Sequence, residues 1–243
     1  PQAFHLALSL PQNTSQAWLE SFSSGLRVCA DEYSISLIGG DTTSSPTTVI
    51  TIQVQGLIPS GKALTRSNAQ VGDDIWLSGE IGLSAAALES ILSRPEALIV
   101  KGASLESAYF YPQAQINLGQ QLIHLATSAM DISDGLLQDA SHIAKASHCC
   151  LNFTSNNIPL NELSVKRFGK VQALQFALTG GDDYQLLFTA PKLAYNDLKA
   201  LNCHNVGIVE KLPALDNRSH HESDWVLLDS APVKNKQMGY QHF

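Results

Sequence analysis

The stretch from residue 129 to residue 147, AMDISDGLLQDASHIAKAS, contains the pattern that decides the fold class. Four residues typical of a short β-strand come first, and an acidic Ser-Asp-Gly turn follows. Residues 136–147 then repeat apolar side chains at helical spacing. The same alternation of strand and helix extends in both directions along the chain, with short connections. The pattern predicts an α/β or α+β protein rather than a β-sandwich or a helix bundle.

Short apolar or alternating runs predict further strands at 4–10, 36–38, 48–58, 74–78, 151–153, 186–188 and 206–209. Helical periodicity predicts helices from about 13–15 to 33 and at 83–92, 113–127 and 192–201. The strict alternation at 48–58 indicates a half-exposed strand, whose outer face is a candidate subunit contact. Polar, glycine-containing residues 59–73 are the best candidate for a domain boundary.

Composition limits the classes of function. The chain has 243 residues, of which 44% are hydrophobic and 15% charged, so a sizeable core can form and wholesale disorder is excluded. A net charge of −7 argues against binding nucleic acid or an anionic membrane through bulk charge. No apolar run approaches the roughly 20 residues of a membrane span. The four cysteines have no C-x-x-C spacing, which favours buried thiols in the cytoplasm.

Three acidic segments carry the candidate chemistry: GGDTT at 39–43, MDISDG at 130–135 and TGGDDY at 179–184. Carboxylate and hydroxyl oxygens are the ligands that Mg²⁺ prefers, and glycines let backbone N–H groups approach phosphates. Each segment alone is more typical of an ordinary turn. Three of them in one chain give the metal–phosphate interpretation equal standing, and an acidic protein needs a metal bridge or backbone donors to bind anionic ligands.

Other motifs fail on particular residues. Residues 56–63 match the first seven positions of a P-loop, but Ala63 occupies the position where a Ser or Thr must bind magnesium. Residues 131–142 begin like an EF-hand, but Gly135 comes one position early and His142 replaces the final Glu. No histidine is spaced with a nucleophile and a carboxylate in a way that predicts a Ser-His-Asp or Cys-His hydrolase.

Several segments occur in an order that resembles the thiamine-monophosphate kinases, in the superfamily of aminoimidazole ribonucleotide synthetase and selenophosphate synthetase. They are LIGGDTT (37–43), GKALTRS with VGDDIWLSG (within 61–79), AMDISDGL (129–136), LTGGDDYQLLF (178–188) and GYQHF (239–243). The resemblance covers essentially the whole chain. It implies phosphorylation of thiamine phosphate to thiamine diphosphate with ATP and several Mg²⁺ ions. It also implies two α/β domains and a homodimer formed through the N-terminal sheets.

The resemblance further implies roles for individual residues. Nucleotide contacts are expected at Gly40, Asp41, Arg66 and Ser133, of which Asp41 and Arg66 are also expected to be catalytic. Metal ligands are expected at Asp41, Asp131 and Asp134.

Two further positions are expected to contact the thiamine phosphate. Asp182 stands where the family usually has Glu, so it keeps the charge but has a shorter reach. Tyr240 resembles the aromatic residue of the family's tail, which packs on the thiamine moiety; its alternative role is to pin the C-terminus.

The family begins with a further segment that carries a Gly-Asp-Asp metal motif, another metal-binding Asp and a His near the substrate, and this chain is expected to lack it. Residues 1–68 are therefore interpreted as the remainder of an N-terminal ATP-binding and dimerisation domain, and 69–243 as the C-terminal α/β domain. Two alternatives stay open: another ATP-dependent enzyme of the superfamily, or a non-catalytic nucleotide-binding or dimerisation fragment.

Overall fold

The computed structural model describes residues 1–94, 99, 101–102, 104–212 and 225–233. The chain divides into two compact units, residues 1–63 and residues 64–243. The first contains a three-stranded sheet and the second a seven-stranded sheet, each accompanied by helices. The predicted mixed α/β class is therefore confirmed.

The first unit is built on a parallel strand pair with a third, antiparallel strand. Its elements are β1 (Ala3–Leu10), α1 (Gln16–Glu32), β2 (Ser36–Ser44) and β3 (Val49–Gln55). The sheet order is β2-β1-β3, with β1 parallel to β2 and antiparallel to β3. Ser15, within the predicted start at 13–15, is the N-cap of α1, and its hydroxyl accepts the Trp18 N–H at 3.2 Å. The helix therefore begins where the sequence predicts.

Strand β2 is longer than expected because GGDTT is part of it rather than a loop. Its residues pair with β1 in register, from Leu6 opposite Gly40 to Ser9 opposite Thr43. Gly40 makes this possible, since its φ is 153° and a Cβ atom there would collide with the Leu6 carbonyl oxygen. The glycines that suggested a loop therefore permit close strand pairing after a register shift near His5.

The first unit buries few of its side chains. Phe4, Leu8 and Leu10 of β1 are buried, but no residue of α1, β2 or β3 is. The prediction of a half-exposed strand at 48–58 is wrong in one respect, because both faces of β3 are exposed. Its apolar residues therefore remain available for another surface.

The second unit is a mostly antiparallel sheet with helices on both faces. Its strands are β4 (Asp74–Leu77), β5 (Ser128–Asp131), β6 (Cys150–Phe153), β7 (Leu186–Ala190), β8 (His204–Glu210), β9 (Val226–Leu228) and β10 (Ala231–Pro232). Its helices are α2 (Leu83–Ser93), α3 (Ser107–Phe110), α4 (Ile116–Leu122), α5 (Leu136–Ser147), α6 (Glu162–Phe168), α7 (Lys170–Thr179) and α8 (Tyr195–Ala200). The strand order is β10-β9-β6-β8-β4-β7-β5, and among the described residues of this sheet only β6 and β9 run parallel.

Strand β4 shows how the two layers of core form. Ile75 and Leu77 belong to the core cluster that contains Ile143 of α5, whereas Trp76 belongs to the cluster that contains Leu198 of α8. Successive side chains of a strand point to opposite faces, so β4 is covered on both sides.

Two predicted helices are shorter than expected. The helix predicted at 113–127 is limited to Ile116–Leu122, and the one at 192–201 divides into a 3₁₀ turn at 192–194 and α8. Helices α6 and α7 were not predicted; Gly169, with a φ of 81°, separates them and interrupts the helical period. Across the described residues, no helix has both the length and the apolar character needed to span a membrane.

Candidate active site

The first acidic loop, residues 131–135, is fixed by a buried carboxylate in the helix that follows it. Asp139 lies in the first turn of α5 and is 1% exposed. Its Oδ2 atom accepts three backbone N–H groups, from Ser133 at 3.0 Å, Asp134 at 3.1 Å and Gly135 at 3.2 Å. Burial raises the pKa of Asp139 to about 6, although the N–H groups of Asp134 and Ser133 favour its anion.

The second acidic loop, residues 179–184, is hydrogen-bonded to the first through the backbone. The Asp182 N–H donates to the Ser133 carbonyl at 3.0 Å, and the Tyr184 N–H donates to the Ile132 carbonyl at 2.9 Å. These bonds continue the antiparallel pairing of β5 with β7 beyond the ends of the strands. Two of the predicted acidic segments, far apart in sequence, are therefore adjacent in space.

A second buried carboxylate anchors the second acidic loop. Asp183 is 9% exposed and accepts the N–H groups of Gly82 at 2.5 Å and Ser84 at 3.0 Å, at the start of α2. Burial raises its pKa to about 6, against the stabilising effect of these N–H groups. The loop is thus attached to α2 on one side and to the first acidic loop on the other.

The backbone on either side of Asp183 is left-handed. Asp182 has a φ of 63° and Tyr184 a φ of 52°, a conformation that is unfavourable for a residue as bulky as tyrosine. The Tyr184 hydroxyl donates to Asp182 Oδ1 at 3.1 Å. Burial raises the pKa of Tyr184, and the negative charges of Asp182 and Asp131 add to the increase, so these three side chains share one region.

The oxygen ligands of the first acidic loop fit a hard divalent cation. Asp131 is exposed and Asp134 is half-buried, and one ligand atom each of Asp134, Asp139 and His142 lie within 4.8 Å of one another. Mg²⁺ in phosphate-transferring enzymes is bound through one or two carboxylates together with substrate phosphates. The donor set is therefore suitable for Mg²⁺ with a phosphate ligand.

Arg66 lies beside the same helix. Its carbonyl accepts the Ser147 hydroxyl at 3.0 Å, near the end of α5. Burial lowers the pKa of His142, and the positive charge of Arg66 lowers it further. The Arg66 backbone therefore lies at the end of α5 opposite the first acidic loop, and its charge acts on His142 within that helix.

Gly40 and Asp41 belong to the first unit. Asp41 is exposed on β2, and its Oδ1 accepts the N–H of Thr42 at 2.8 Å. The structure brings together Asp131, Ser133, Asp134 and Asp182 in the second unit, whereas the Arg66 backbone lies near the other end of α5. Tyr240 and the segment GYQHF lie outside the described residues.

A cavity of about 390 Å³ adjoins the second acidic loop. Its lining combines Asp183 and Gln185 with Glu80, Asn161 and Tyr111. The Asn161 amide donates to Glu80 Oε2 at 2.6 Å. This volume and mixture of polar and aromatic groups are typical of small-molecule sites.

Sequence reasoning missed the cavity and both buried carboxylates. An acidic residue in the first turn of a predicted helix was the signal available for Asp139. Asp183 adjoins Asp182 in the sequence, and no pattern distinguishes the buried member of that pair from the exposed one.

Comparisons with known proteins agree with this fold. A family profile described as "AIR synthase related protein, N-terminal domain" matches residues 1–58. The chain is 37% identical to the thiamine-monophosphate kinase of Haemophilus influenzae over 251 residues, and 38% identical to that of Escherichia coli over 248 residues. Each match covers 100% of this chain and 74% of the relative.

Solved structures give the same result. The crystal structure of thiamine-monophosphate kinase from Stenotrophomonas maltophilia matches with a TM-score of 0.82 and 32% identity, over 96% of this chain and 73% of that one. A structure described as AaThiL complexed with AMPPCP and TMP matches with a TM-score of 0.83 and 28% identity, over 100% and 74%.

The profile match identifies residues 1–58 as an AIR synthase-related N-terminal domain. Within that class, the chain belongs to the thiamine-monophosphate kinase family. The resemblance found in the sequence is confirmed, and the chain is an enzyme of the kinase class.

Proposed function

We propose that the chain transfers the γ-phosphoryl group of ATP to thiamine phosphate, giving thiamine diphosphate, with Mg²⁺. The observation that supports this most directly is the backbone pairing of the two acidic loops, which places Asp131, Ser133 and Asp134 beside Asp182. The related AaThiL structure is described as binding AMPPCP, an ATP analogue, and TMP. A phosphate-rich ligand pair of this kind needs cations in a chain of net charge −7.

Asp131 and Asp134 are proposed to hold Mg²⁺ in the second unit, and Asp41 to hold a further ion in the first. Held by these carboxylates, Mg²⁺ would supply positive charge that offsets the negative charge developing during transfer. The Arg66 guanidinium is suited to donating paired hydrogen bonds to a phosphate of ATP. Gly40 and Ser133 are proposed as nucleotide contacts.

The transfer is proposed to be direct and in line. The acceptor oxygen of thiamine phosphate is already anionic at neutral pH, so the chain needs no strong general base. Its residues instead hold the two phosphates in the alignment that in-line transfer requires. Because the first acidic loop is bonded to Asp139 and to the second acidic loop, it is pre-organised for that task.

The acceptor is proposed to contact Asp182, whose Oδ1 is directed by the Tyr184 hydroxyl. The adjoining cavity of about 390 Å³ has room for the organic part of the acceptor. Tyr240 stays a prediction for the same moiety.

The proposal is tested by measuring thiamine diphosphate formation from thiamine phosphate, ATP and Mg²⁺. The assay uses the full-length gene product and, in parallel, residues 1–243 alone. Product formation supports the proposal. Turnover with another acceptor would identify a different ATP-dependent enzyme of the superfamily, and nucleotide binding without turnover of any acceptor would identify a binding or dimerisation fragment.

Asp131→Asn tests the metal assignment within the same assay. We expect turnover to fall by about 10²-fold or more, because the amide removes a charged oxygen ligand. Asp73→Asn is the matched control, since Asp73 is a buried carboxylate whose Oδ2 accepts the Thr127 hydroxyl at 2.7 Å. Equal activities of Asp131→Asn and the unmodified enzyme would overturn the assignment.

We also propose that two copies associate through the sheet of the first unit, and that the enzyme acts in the cytoplasm. The exposed apolar residues Val49, Ile50, Ile52 and Val54 of β3 support the first point. Cys149, Cys150 and Cys203 are buried thiols, which is consistent with the second.

A further inference from the structure

We propose that Asp139 is a positioning residue, whose carboxylate acts as an internal anion at the start of α5 and fixes the loop that presents Asp131 and Asp134. The structural part of this inference stands on the geometry alone, whereas its catalytic part rests on the proposed function.

The geometry is that of an anion-binding nest. Three consecutive N–H groups, those of Ser133, Asp134 and Gly135, converge on one oxygen within 3.0–3.2 Å. Proteins commonly use such groups at a helix N-terminus to bind phosphate. Here the chain supplies its own anion, which is 1% exposed, so these donors are not available to a nucleotide phosphate.

Close packing limits how the loop can relax if Asp139 is removed. A Cβ atom on Gly135 would lie 2.9 Å from the backbone of Thr179, and its φ is 120°. The Ser133 carbonyl is in turn engaged by the Asp182 N–H at 3.0 Å. The carboxylate therefore completes a frame in which the backbone of the first acidic loop contacts the second acidic loop on one side and α5 on the other.

The surroundings of Asp139 show why the loop and the carboxylate depend on each other. The Asp139 side chain is 1% exposed, so solvent does not replace a backbone donor that moves away. The three N–H groups are the favourable partners of the anion. If the loop departed from this conformation, a buried charge would lose its donors, and so the conformation with the donors in place is favoured.

This arrangement separates two roles within one cluster of ligand atoms. Asp134, Asp139 and His142 could all face one cation, but Asp139 Oδ2 is already surrounded by backbone donors. Asp131 and Asp134 are therefore assigned to the metal, and Asp139 to their placement. Residues that orient metal ligands typically affect metal affinity or activity by about 10–100-fold when they are changed.

The first experiment needs neither metal nor substrate. Amide hydrogen exchange of residues 131–137 is compared between the unmodified chain, Asp139→Ala and Asp139→Asn, all without metal. We expect exchange at Ser133 to Gly135 to accelerate by about tenfold or more in Asp139→Ala, and less in Asp139→Asn, which keeps one acceptor oxygen.

Asp73→Ala is the matched control, because Asp73 is 5% exposed and its Oδ2 accepts the Gln70 N–H at 3.0 Å. Asp73 directly precedes Asp74 of β4, and Asp74 pairs with Ala190 at one end of β7. The first acidic loop begins at Asp131, which pairs with Leu186 at the other end of β7. Amide exchange at residues 131–137 in Asp73→Ala should equal that in the unmodified chain. Thermal melts identify any variant that fails to fold, and Asp139→Asn then provides the test.

Formate provides the second experiment, since it is the smallest carboxylate that could enter the space left in Asp139→Ala. Formate should slow exchange at Ser133 to Gly135 in Asp139→Ala, and should have no effect in Asp139→Asn. Chloride at the same ionic strength should have no effect in either. Equal responses to formate and chloride, or unchanged exchange in Asp139→Ala, would overturn the proposal.

The third experiment distinguishes positioning from ligation. Mn²⁺ binding is measured by calorimetry, and the Mg²⁺ concentration for half-maximal activity is measured for the same variants. We expect Asp139→Ala to raise the Mn²⁺ dissociation constant and the half-maximal Mg²⁺ concentration by about tenfold each. Formate should reverse part of both increases. Lost Mn²⁺ binding with unchanged exchange in the metal-free chain would identify Asp139 as a metal ligand and overturn the assignment. Because exchange and Mn²⁺ binding need no turnover, failure of the proposed reaction would be recognised separately.

Discussion

Strand β4 of the second unit contributes Ile75, Trp76 and Leu77, each 0% exposed, whereas every residue of β3 in the first unit is exposed. Both segments have sequences typical of strands, and both pair with neighbours as expected. They differ in what covers their faces. The second unit has helices on both sides of its sheet, while the first buries little beyond Phe4, Leu8 and Leu10 of β1.

This contrast shows that a segment's own pattern decides whether it forms a strand, whereas its burial depends on what packs against it. Alternation of apolar residues predicts a strand and its register, but the covering surface is supplied by other segments or another molecule. A sheet with uncovered apolar faces is typical of an interface. The first unit leaves more of its apolar side chains uncovered than the second does.

The largest expected difference is in the free energy of unfolding that is lost when a strand residue of each sheet is truncated to alanine. Leu151→Ala in β6, at a site that is 0% exposed, should lower the free energy of unfolding by about 2–5 kcal/mol. Ile50→Ala in β3, at a site that is 44% exposed, should cost the isolated chain less than about 1 kcal/mol. Urea unfolding followed by circular dichroism measures both. Similar losses would show that the first unit has a core of its own in solution.

The second difference is a pH dependence that belongs to the second unit. Burial raises the pKa of Asp183 from 3.8 to about 6, so its folded form binds a proton more tightly than its unfolded form. The stabilisation that this proton gives to the folded chain is fully present below pH 3.8 and is lost as the pH rises through about 6. Between these values the free energy of unfolding of the unmodified chain should fall, relative to Asp183→Asn, by up to about 3 kcal/mol.

Unfolding of both proteins between pH 4 and pH 7 measures this dependence. Ser84→Ala serves as the control, because the Ser84 backbone N–H that Asp183 accepts is retained. Parallel pH curves for the unmodified chain and Asp183→Asn would contradict the predicted effect of burial.

A third substitution should disturb the first unit and leave the second intact. Gly40→Ala places a Cβ atom against the Leu6 carbonyl at a φ of 153°, which should destabilise the β1–β2 pairing by about 1–3 kcal/mol. Hydrogen exchange should accelerate in β2 while β4 and β7 stay protected. Gly25→Ala is the control, since nothing lies within 4 Å of a Cβ atom at that position. Loss of protection in both units would show that they unfold together.

The smallest expected effect tests the proposed self-association. Ile52→Asp puts a charge on β3, and we expect the dissociation constant of the dimer to rise by about tenfold or more, because a desolvated carboxylate lacks a partner. Light scattering across a dilution series measures it. Val171→Asp, on α7 at a site that is 87% exposed, should leave the dimer unchanged. A monomeric unmodified chain, or equal dimers in both variants, would rule out this interface.

Much of the fold could be predicted from the sequence. The bounds of α5 agree with the prediction at both ends, since an apolar period of helical spacing starts directly after Gly135 and stops at Ser147. The prediction failed at GGDTT, where the composition of a turn forms part of β2. Pairing with β1 satisfies that backbone, and such pairing depends on a distant segment rather than on local preference.

The candidate site was predicted in part. Composition identified the acidic segments, and the resemblance supplied roles for Asp131, Asp134 and Asp182. The sequence could not show that two of those segments are hydrogen-bonded, nor that Asp139 and Asp183 are buried. Both facts depend on which loop packs on which helix start, and single aspartates in polar surroundings carry no signal of that.

The two acidic loops are joined through main-chain atoms: Asp182 N–H to Ser133 carbonyl, Tyr184 N–H to Ile132 carbonyl, and Ile132 N–H to Gln185 carbonyl at 2.8 Å. Main-chain bonds of this kind are indifferent to the identity of the side chains that they carry. Evolution can therefore exchange carboxylates here without rebuilding the scaffold. The same tolerance makes position 182, the proposed acceptor contact, a practical starting point for redesigning which acceptor the scaffold takes.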